Sequence, residues 1–292
     1  MTRQAYLITA YKDGEALYDL VNGLDPEDEV YIHIDKKSEH EMAADPFVQK
    51  LRERKGCHLF FEYSVTWGGY SHVEAMLLLM REAIKDGTDK YIHMVTGEDM
   101  LIIPAADIKK RFTETDDKDK IYLDYIEEKD FNDEVKKRYE TYFWFKNSDL
   151  RNPFVWHFKN FIRGIQKLFG VKRKSLGGFD ELYKGLFYIS LPGDCAKDIQ
   201  DHLSAHPEYE NDLKRTELPE EFFFHTLLLN DGFADGKWKD RIVRKELRYM
   251  KWDGASPVYL GESDINDIKT AVKDGYIFAR KVHGNDRLRK AL

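Results

Sequence analysis

Leu218 to Asp231 reads LPEEFFFHTLLLND, two adjacent carboxylates running straight into three phenylalanines. Placing a carboxylate beside aromatics is costly unless it is paired or hydrogen-bonded. Glu220 and Glu221 are therefore either the acidic cap of a helix or carboxylates with chemistry to do. Pro219 suits the first turn of a helix, which makes Phe222 onward helical, apolar on most faces and buried. Desolvation by the phenylalanines works against charge on Glu221, while a helix N-terminus favours it. His225, one turn on, falls on the same side as Glu221 and can orient it. From composition alone the cap is the favoured reading.

Other familiar chemistries are missing. The chain has no GxGxxG dinucleotide fingerprint, no GxxxxGK[ST] phosphate loop, no HExxH and no GxSxG elbow. The histidines are scattered, and His33 and His93 alternate within strand-like runs, as core histidines do. The DKD at Asp117–Asp119 has metal-binding letters but lies in a charged loop, so it reads as solvated surface. Cys57 and Cys195 lack CxxC spacing, which argues against a disulfide scaffold and a four-ligand zinc site.

These residues need elements to position them. The chain has 292 residues, 42% of them hydrophobic, which is ample for a core. Its net charge of -7 gives no bias toward nucleic acid. QAYLITAY (Gln4–Tyr11), DEVYIHID (Asp28–Asp35), CHLFFEY and KYIHMVTGED read as strands. Helical stretches separate them, one opening after a Trp67-Gly68-Gly69 turn with Ser71 and Glu74 spaced as a capping box. YKGLFYISL (Tyr183–Leu191) and YIFARKV (Tyr276–Val282) are further strands. This alternation predicts an α/β fold with a mixed, mostly parallel sheet flanked by helices. Ligands of such sheets sit beyond the carboxyl ends of the strands, which places Asp35, Trp67, Glu98 and Asp99 on the ligand side. No repeat, low-complexity tract or linker interrupts the chain, and residues 1–292 are expected to form one domain.

Residues 151–174, RNPFVWHFKNFIRGIQKLFGVKRK, contain no Asp or Glu. Phe154, Val155, Phe158, Phe161, Ile162, Ile165, Leu168 and Phe169 fall along one helical stripe. Lys159, Arg163 and Lys167 lie on another face. Such a basic amphipathic helix either lies in a membrane interface or docks on the core as an ordinary surface helix. No run approaches the roughly 20 apolar residues that span a bilayer, and the N-terminus has no signal-like apolar core.

YIHIDKKS, VTWGGYSHVEAMLLLMREA, YIHMVTGEDMLI, LPEEFFFHTLL, LRYMKW and FARKV occur here in that order. Together they resemble the core-2/I-branching β-1,6-N-acetylglucosaminyltransferase family, which also contains the peptide O-xylosyltransferases. The resemblance runs from about Ala5 to Val282, and LPEEFFFHTLLLN and FARK look closer to the xylosyltransferase branch. It implies a GT-A-type nucleotide-sugar fold and an inverting, metal-independent transfer from a UDP-sugar.

Carried residue by residue, the resemblance puts the family's catalytic base on Glu221, with Glu220 as a neighbouring carboxylate that can share the acceptor site. A base must be anionic and still accept the proton of the acceptor hydroxyl. The family's phosphate-binding lysine maps to Lys281, with Arg280 beside it, a planar fork and a point charge suited to a diphosphate. A second family arginine aligns near Ala255, where this chain has none, and Arg280 or Arg248 can substitute. Arg248 can equally be the partner of a sheet carboxylate. Asp35 matches the aspartate near the uridine and ribose, or caps its loop. Tyr11 can stack on uracil or pack in the core. Trp252 and Asp99 match acceptor-side positions, as does Trp67, which can instead pack around its turn.

The expected protein is a bacterial, cytoplasmic glycosyltransferase acting in surface polysaccharide synthesis. It takes a UDP-sugar, UDP-GlcNAc before UDP-xylose, and a glycan or lipid-linked glycan acceptor. No metal, other cofactor or nucleic acid is expected. Segment 151–174 is expected to touch an anionic inner membrane leaflet. The alternative is a non-catalytic sugar- or nucleotide-binding protein of the same fold.

Overall fold

A computed structural model describes residues 3–144, 148–254, 256–284 and 287–291. The N-terminal half alternates as read: β1 (Arg3–Ala10), α1 (Gly14–Asn22), β2 (Glu29–Ile34), α2 (Glu39–Ala44), α3 (Pro46–Glu53), β3 (Cys57–Phe60), α4 (Ser71–Ile84) and β4 (Lys90–Thr96). The chain then makes β5 (Asp99–Leu101), α5 (Ala105–Glu114), β6 (Ile121–Leu123), β7 (Ile126–Glu127), α6 (Asp133–Glu140) and α7 (Pro153–Leu168). Next come β8 (Tyr183–Lys184), β9 (Ser190–Pro192), α8 (Gly193–Ala205), α9 (Pro207–Leu213) and α10 (Phe223–Leu229). The last part holds β10 (Ile242–Arg244), β11 (Arg248–Met250), β12 (Trp252–Asp253), β13 (Ser256–Pro257), α11 (Ile265–Lys273), β14 (Phe278–Arg280) and α12 (Arg287–Ala291).

The main sheet runs β10-β6-β9-β4-β1-β2-β3. β1 pairs in parallel with β2 and β4, β2 with β3, and β10 with β6, while β9 runs antiparallel to both β4 and β6. The sheet is thus mixed and mostly parallel, with helices on both faces. The apolar runs explain this: strands covered on both sides read as near-continuous hydrophobic stretches, and Ala5 to Ile8 are completely buried. One core cluster joins α4, α8 and α10 to the sheet and the other joins α1, α3 and α5. A second sheet, β11-β14-β5, stacks with α11 on a third cluster. The parallel register brings Ala10 beside Ile34 and Thr9 beside Thr96. The exits of β1, β2 and β4 therefore lie side by side.

Two local expectations are corrected. Ser71 does not cap α4: its hydroxyl instead accepts the amide of Thr66 at 2.8 Å, and Tyr70 precedes the helix without a side-chain cap bond. The hydroxyl thereby tightens the loop before the helix rather than the helix end. The run Tyr183–Leu191 is also not one strand but two short ones. Gly185 lies against neighbouring chain so closely that a Cβ there would meet the Asp124 carbonyl at 2.1 Å and the His225 ring at 2.4 Å. His33 and His93 are core histidines, as read. His93 contacts the Ser190 hydroxyl at 2.9 Å and Gln4 at 3.2 Å, and His33 accepts the Tyr63 amide at 3.0 Å. Burial pushes their pKa values down to about 3 and about 4 respectively.

Candidate active site

The exits of β1, β2 and β4 carry Tyr11, Asp35 and the Gly97–Asp99 turn, and one loop ties them to the acidic stretch. Asp35 caps the short turn Lys36–Ser38 through the Lys37 amide at 3.0 Å, and the same oxygen accepts the Val65 amide at 3.2 Å. Its second oxygen lies 3.4 Å from the Lys37 ammonium. Three residues beyond Val65, Gly68 sits at φ 76°, and its carbonyl accepts the Leu218 amide at 3.1 Å. A Cβ on Gly68 would stand 2.5 Å from Leu150, so only glycine allows this approach. The Trp67 indole projects from that turn, half exposed.

The opening of the LPEEFFF stretch is tighter than an α-helix. Leu218 adopts φ 52° and ψ 51°, a left-handed conformation that is uncommon for a side chain of its size. Pro219–Glu221 then form a single 3₁₀ turn, and α10 begins at Phe223 with all its residues buried. Three backbone bonds from separate elements fix the turn. Glu217 N–H donates to the Arg138 carbonyl at 3.1 Å, Leu218 N–H to Gly68, and Gly185 N–H to the Glu221 carbonyl at 2.9 Å. Strain held in place by such surroundings is a feature of functional sites.

Glu221 emerges half-buried from this turn. Its Oε2 lies 2.7 Å from Arg138 Nη1 and 3.0 Å from Lys184 Nζ. Both cations sit on one oxygen, and Oε1 has no partner among the described residues. Glu220 differs: its Oε2 is buried without a hydrogen-bond partner among the described residues. Burial, reinforced by the charge of Glu221, pushes its pKa up to about 8, so at neutral pH it is a neutral carboxylic acid able to donate. His225 does not orient Glu221. It is fully buried and makes no hydrogen bond to Glu221 among the described residues, and burial lowers its pKa to about 3.

Where β4 leads into the second sheet lies a charged floor. Arg248 grips Asp99 with two bonds, Nε to Oδ1 at 3.0 Å and Nη2 to Oδ2 at 2.9 Å, and also donates to the Met94 carbonyl. Both residues are shut off from solvent, and the guanidinium lies 4.0 Å from the Tyr188 ring centre. The two residues expected to reach donor and acceptor are thus each other's buried partners, because each neutralises a charge that burial would otherwise penalise. Arg280 is similarly engaged, donating to the Thr96 hydroxyl and lying 3.4 Å from Glu98 and 3.8 Å from Asp99. Glu98 also receives the Tyr259 hydroxyl and lies 3.1 Å from Lys12.

Lys281 behaves differently. Its ammonium approaches the Tyr259 ring at 5.8 Å and has no ion pair among the described residues. Burial, with nearby Arg280 and Lys12, lowers its pKa. The floor thus gathers four cations, Lys12, Arg248, Arg280 and Lys281, against two carboxylates, Glu98 and Asp99. The surplus is positive and suits a polyanionic group. Tyr11 stands half exposed beside Lys12, whose ammonium is 5.0 Å from its ring centre. Trp252 is half exposed on the β12–β13 hairpin, whose continuation is bonded to Lys281 through the Val258 carbonyl. The position near Ala255 lies outside the described residues.

Arg138, Lys184, Lys12 and Tyr259 were not among the residues singled out by the sequence. They come from α6, β8, the exit of β1 and the loop before α11, and only Lys12, next to Tyr11, had a neighbour that could have drawn attention to it. The acids at Asp117–Asp119 are surface groups, with Asp117 bound to Arg111 at 2.5 Å. Among the described residues no cluster of three or more His, Cys, Asp or Glu side chains could hold a metal ion.

Among solved structures the chain is similar to mouse xyloside xylosyltransferase 1 in its apo form, at 12% identity over 97% of both chains with a TM-score of 0.39. It is also similar to apo WbbM, a bifunctional glycosyltransferase, at 10% identity and a TM-score of 0.35, covering 98% of this chain and 46% of that one. Likenesses this distant say nothing of the site. No curated protein matches the chain. The sequence model of the Core-2/I-Branching enzyme family, by contrast, matches residues 4–271. A match over so much of the chain decides the assignment: the chain belongs to the Core-2/I-Branching enzyme family and is a glycosyltransferase.

Proposed function

We propose that this glycosyltransferase is an inverting, metal-independent enzyme that moves a sugar from a UDP-sugar to a hydroxyl of a glycan acceptor. GlcNAc is the first candidate sugar. The observation that carries the reading is Glu221, held on an over-determined turn with one oxygen clamped by Arg138 and Lys184 and the other available. In an in-line displacement Oε1 takes the acceptor proton as the acceptor oxygen bonds to the anomeric carbon. The bond from that carbon to the diphosphate oxygen breaks, and its electron pair leaves with UDP. Lys281, backed by the positive surplus of the floor, meets the negative charge that develops on the diphosphate.

The remaining groups take binding roles. Asp35 offers its outer oxygen to the ribose hydroxyls, and Tyr11 offers a ring for the uracil. Trp67 and Trp252 offer indole faces to the C–H faces of sugars. Glu220, neutral at pH 7, donates to the acceptor rather than sharing the base role. Arg248, Asp99 and Arg280 position the floor without touching substrate. UDP-xylose is the second donor, favoured by the LPEEFFFHTLLLN and FARK runs.

The test is release of UDP from a panel of UDP-sugars with candidate glycan acceptors, in EDTA and in manganese. Turnover that survives EDTA, gives an inverted anomer by NMR and collapses in Glu221→Gln supports the reading. Strict dependence on manganese removes the metal-free mechanism. Donor binding without turnover on any acceptor points instead to a binding protein of the same fold.

A further inference from the structure

Helix α7 is mounted inside out. Lys159 is buried and lies 2.8 Å from Glu217, and Arg163 reaches the same carboxylate at 2.7 Å. Gln166, also buried, exchanges bonds with the backbone of Tyr142, accepting at 2.7 Å and donating at 2.8 Å. These contacts turn the polar stripe inward and leave the apolar stripe outside. Phe154 is 76% exposed, Phe161 62% and Leu168 82%, with Ile165 and Phe169 also exposed. The sequence allowed a helix lying in a membrane interface or one docked on the core as an ordinary surface helix. The structure has the two central cations facing the protein instead.

An exposed apolar helix face of this extent marks an interaction site, and the local charge says with what. From Arg151 to Lys174 there is no acidic residue. Arg151 pairs with Asp149 at 2.6 Å and Lys172 with Glu140 at 3.1 Å, which leaves Lys167 and Lys174 exposed beside the face with no ion pair among the described residues. A second copy seated on this face would bring the unpaired Lys167 and Lys174 of both copies together with no acidic residue in either helix to meet them, which is repulsive. An anionic lipid surface accepts both the apolar side chains and the cations. Among the described residues no helix is long and apolar enough to cross a membrane, so α7 lies on the surface.

We infer that α7 docks the protein on an anionic membrane by inserting Phe154, Phe161, Ile165, Leu168 and Phe169 among the lipids. Its anchor, Glu217, directly precedes the turn that carries Glu221, so the docked face and that turn share one support. The inference stands apart from the transferase mechanism, and its test reads lipid binding rather than turnover.

The experiment is co-sedimentation of the full chain with phosphatidylcholine vesicles, with and without phosphatidylglycerol. Binding is expected to the anionic vesicles and to weaken as salt is raised. The triple variant Phe154→Ser, Phe161→Ser, Leu168→Ser is expected to lose roughly tenfold or more of that binding with an unchanged melting temperature, since all three positions are exposed. Lys167→Glu with Lys174→Glu should weaken binding to anionic vesicles only. Wild-type protein that stays in the supernatant, or a triple variant that binds as well as wild type, overturns the inference. So does a wild-type dimer in sedimentation velocity that the triple variant converts to monomer, which assigns the face to a second copy.

Discussion

Arg138 Nη1 stands 2.7 Å from Glu221 Oε2, although 83 residues separate the two in the chain. With Lys184 on the same oxygen, the carboxylate has one fixed end and one open end. Glu221→Gln keeps the shape and removes the proposed proton acceptor. It is expected to lower kcat by roughly 10² to 10⁴ with little change in donor KM, as measured by steady-state UDP release. Arg138→Met loosens the fixed end, and its kcat should fall by about tenfold while donor binding holds.

Lys281 makes no ion pair among the described residues, so its removal should cost function rather than folding. Lys281→Met is expected to reduce kcat/KM by roughly a hundredfold. It should also shrink the thermal stabilisation given by UDP while leaving the melting temperature of the free protein nearly unchanged. A large drop in the free protein's melting temperature would assign the lysine to the fold instead.

The Asp99–Arg248 pair makes the opposite prediction. Both members are buried, and breaking such a pair on one side strands a charge. Asp99→Asn and Arg248→Met should each destabilise by about 3–5 kcal/mol, while the double variant should lose clearly less than the sum. Urea denaturation of the four proteins supplies the cycle.

Glu220 predicts a pH dependence of stability. Its folded pKa of about 8 lies above the ordinary value of 4.5, so the native state holds a proton that the unfolded chain releases. Its stabilising contribution is complete below the unfolded pKa and is lost as pH rises through about 8. Glu220→Gln should therefore match wild type near pH 4 and exceed it near pH 9, by roughly 2–4 kcal/mol after allowance for partial solvent access. Melting temperatures across that range check the sign. A wild-type curve that runs parallel to the variant's would mean the carboxyl is ionised throughout.

Much of this molecule was legible in one dimension. Apolar runs such as Gln4–Tyr11 and Lys90–Thr96 became central strands because a strand covered on both faces has no polar side to show. Glu220, Glu221, Arg280 and Lys281 stood out because unusual neighbours and recurring motifs are local properties of a chain. The split of Tyr183–Leu191 was not legible, since it depends on how near Gly185 comes to Asp124 and His225.

The sequence by itself determined the alternation of strands and helices, the acidic stretch at Glu220 and Glu221, and the two-faced character of residues 151–174. Only the tertiary structure decided which charges cancel. It gave Arg248 to Asp99 and Arg280 to Glu98, left Lys281 unmatched among the described residues, brought Arg138 and Lys184 to Glu221, and turned the cations of α7 inward to Glu217. The reason is physical. Periodicity and propensity act between neighbours along the chain, whereas a buried charge must find its partner wherever the fold places one.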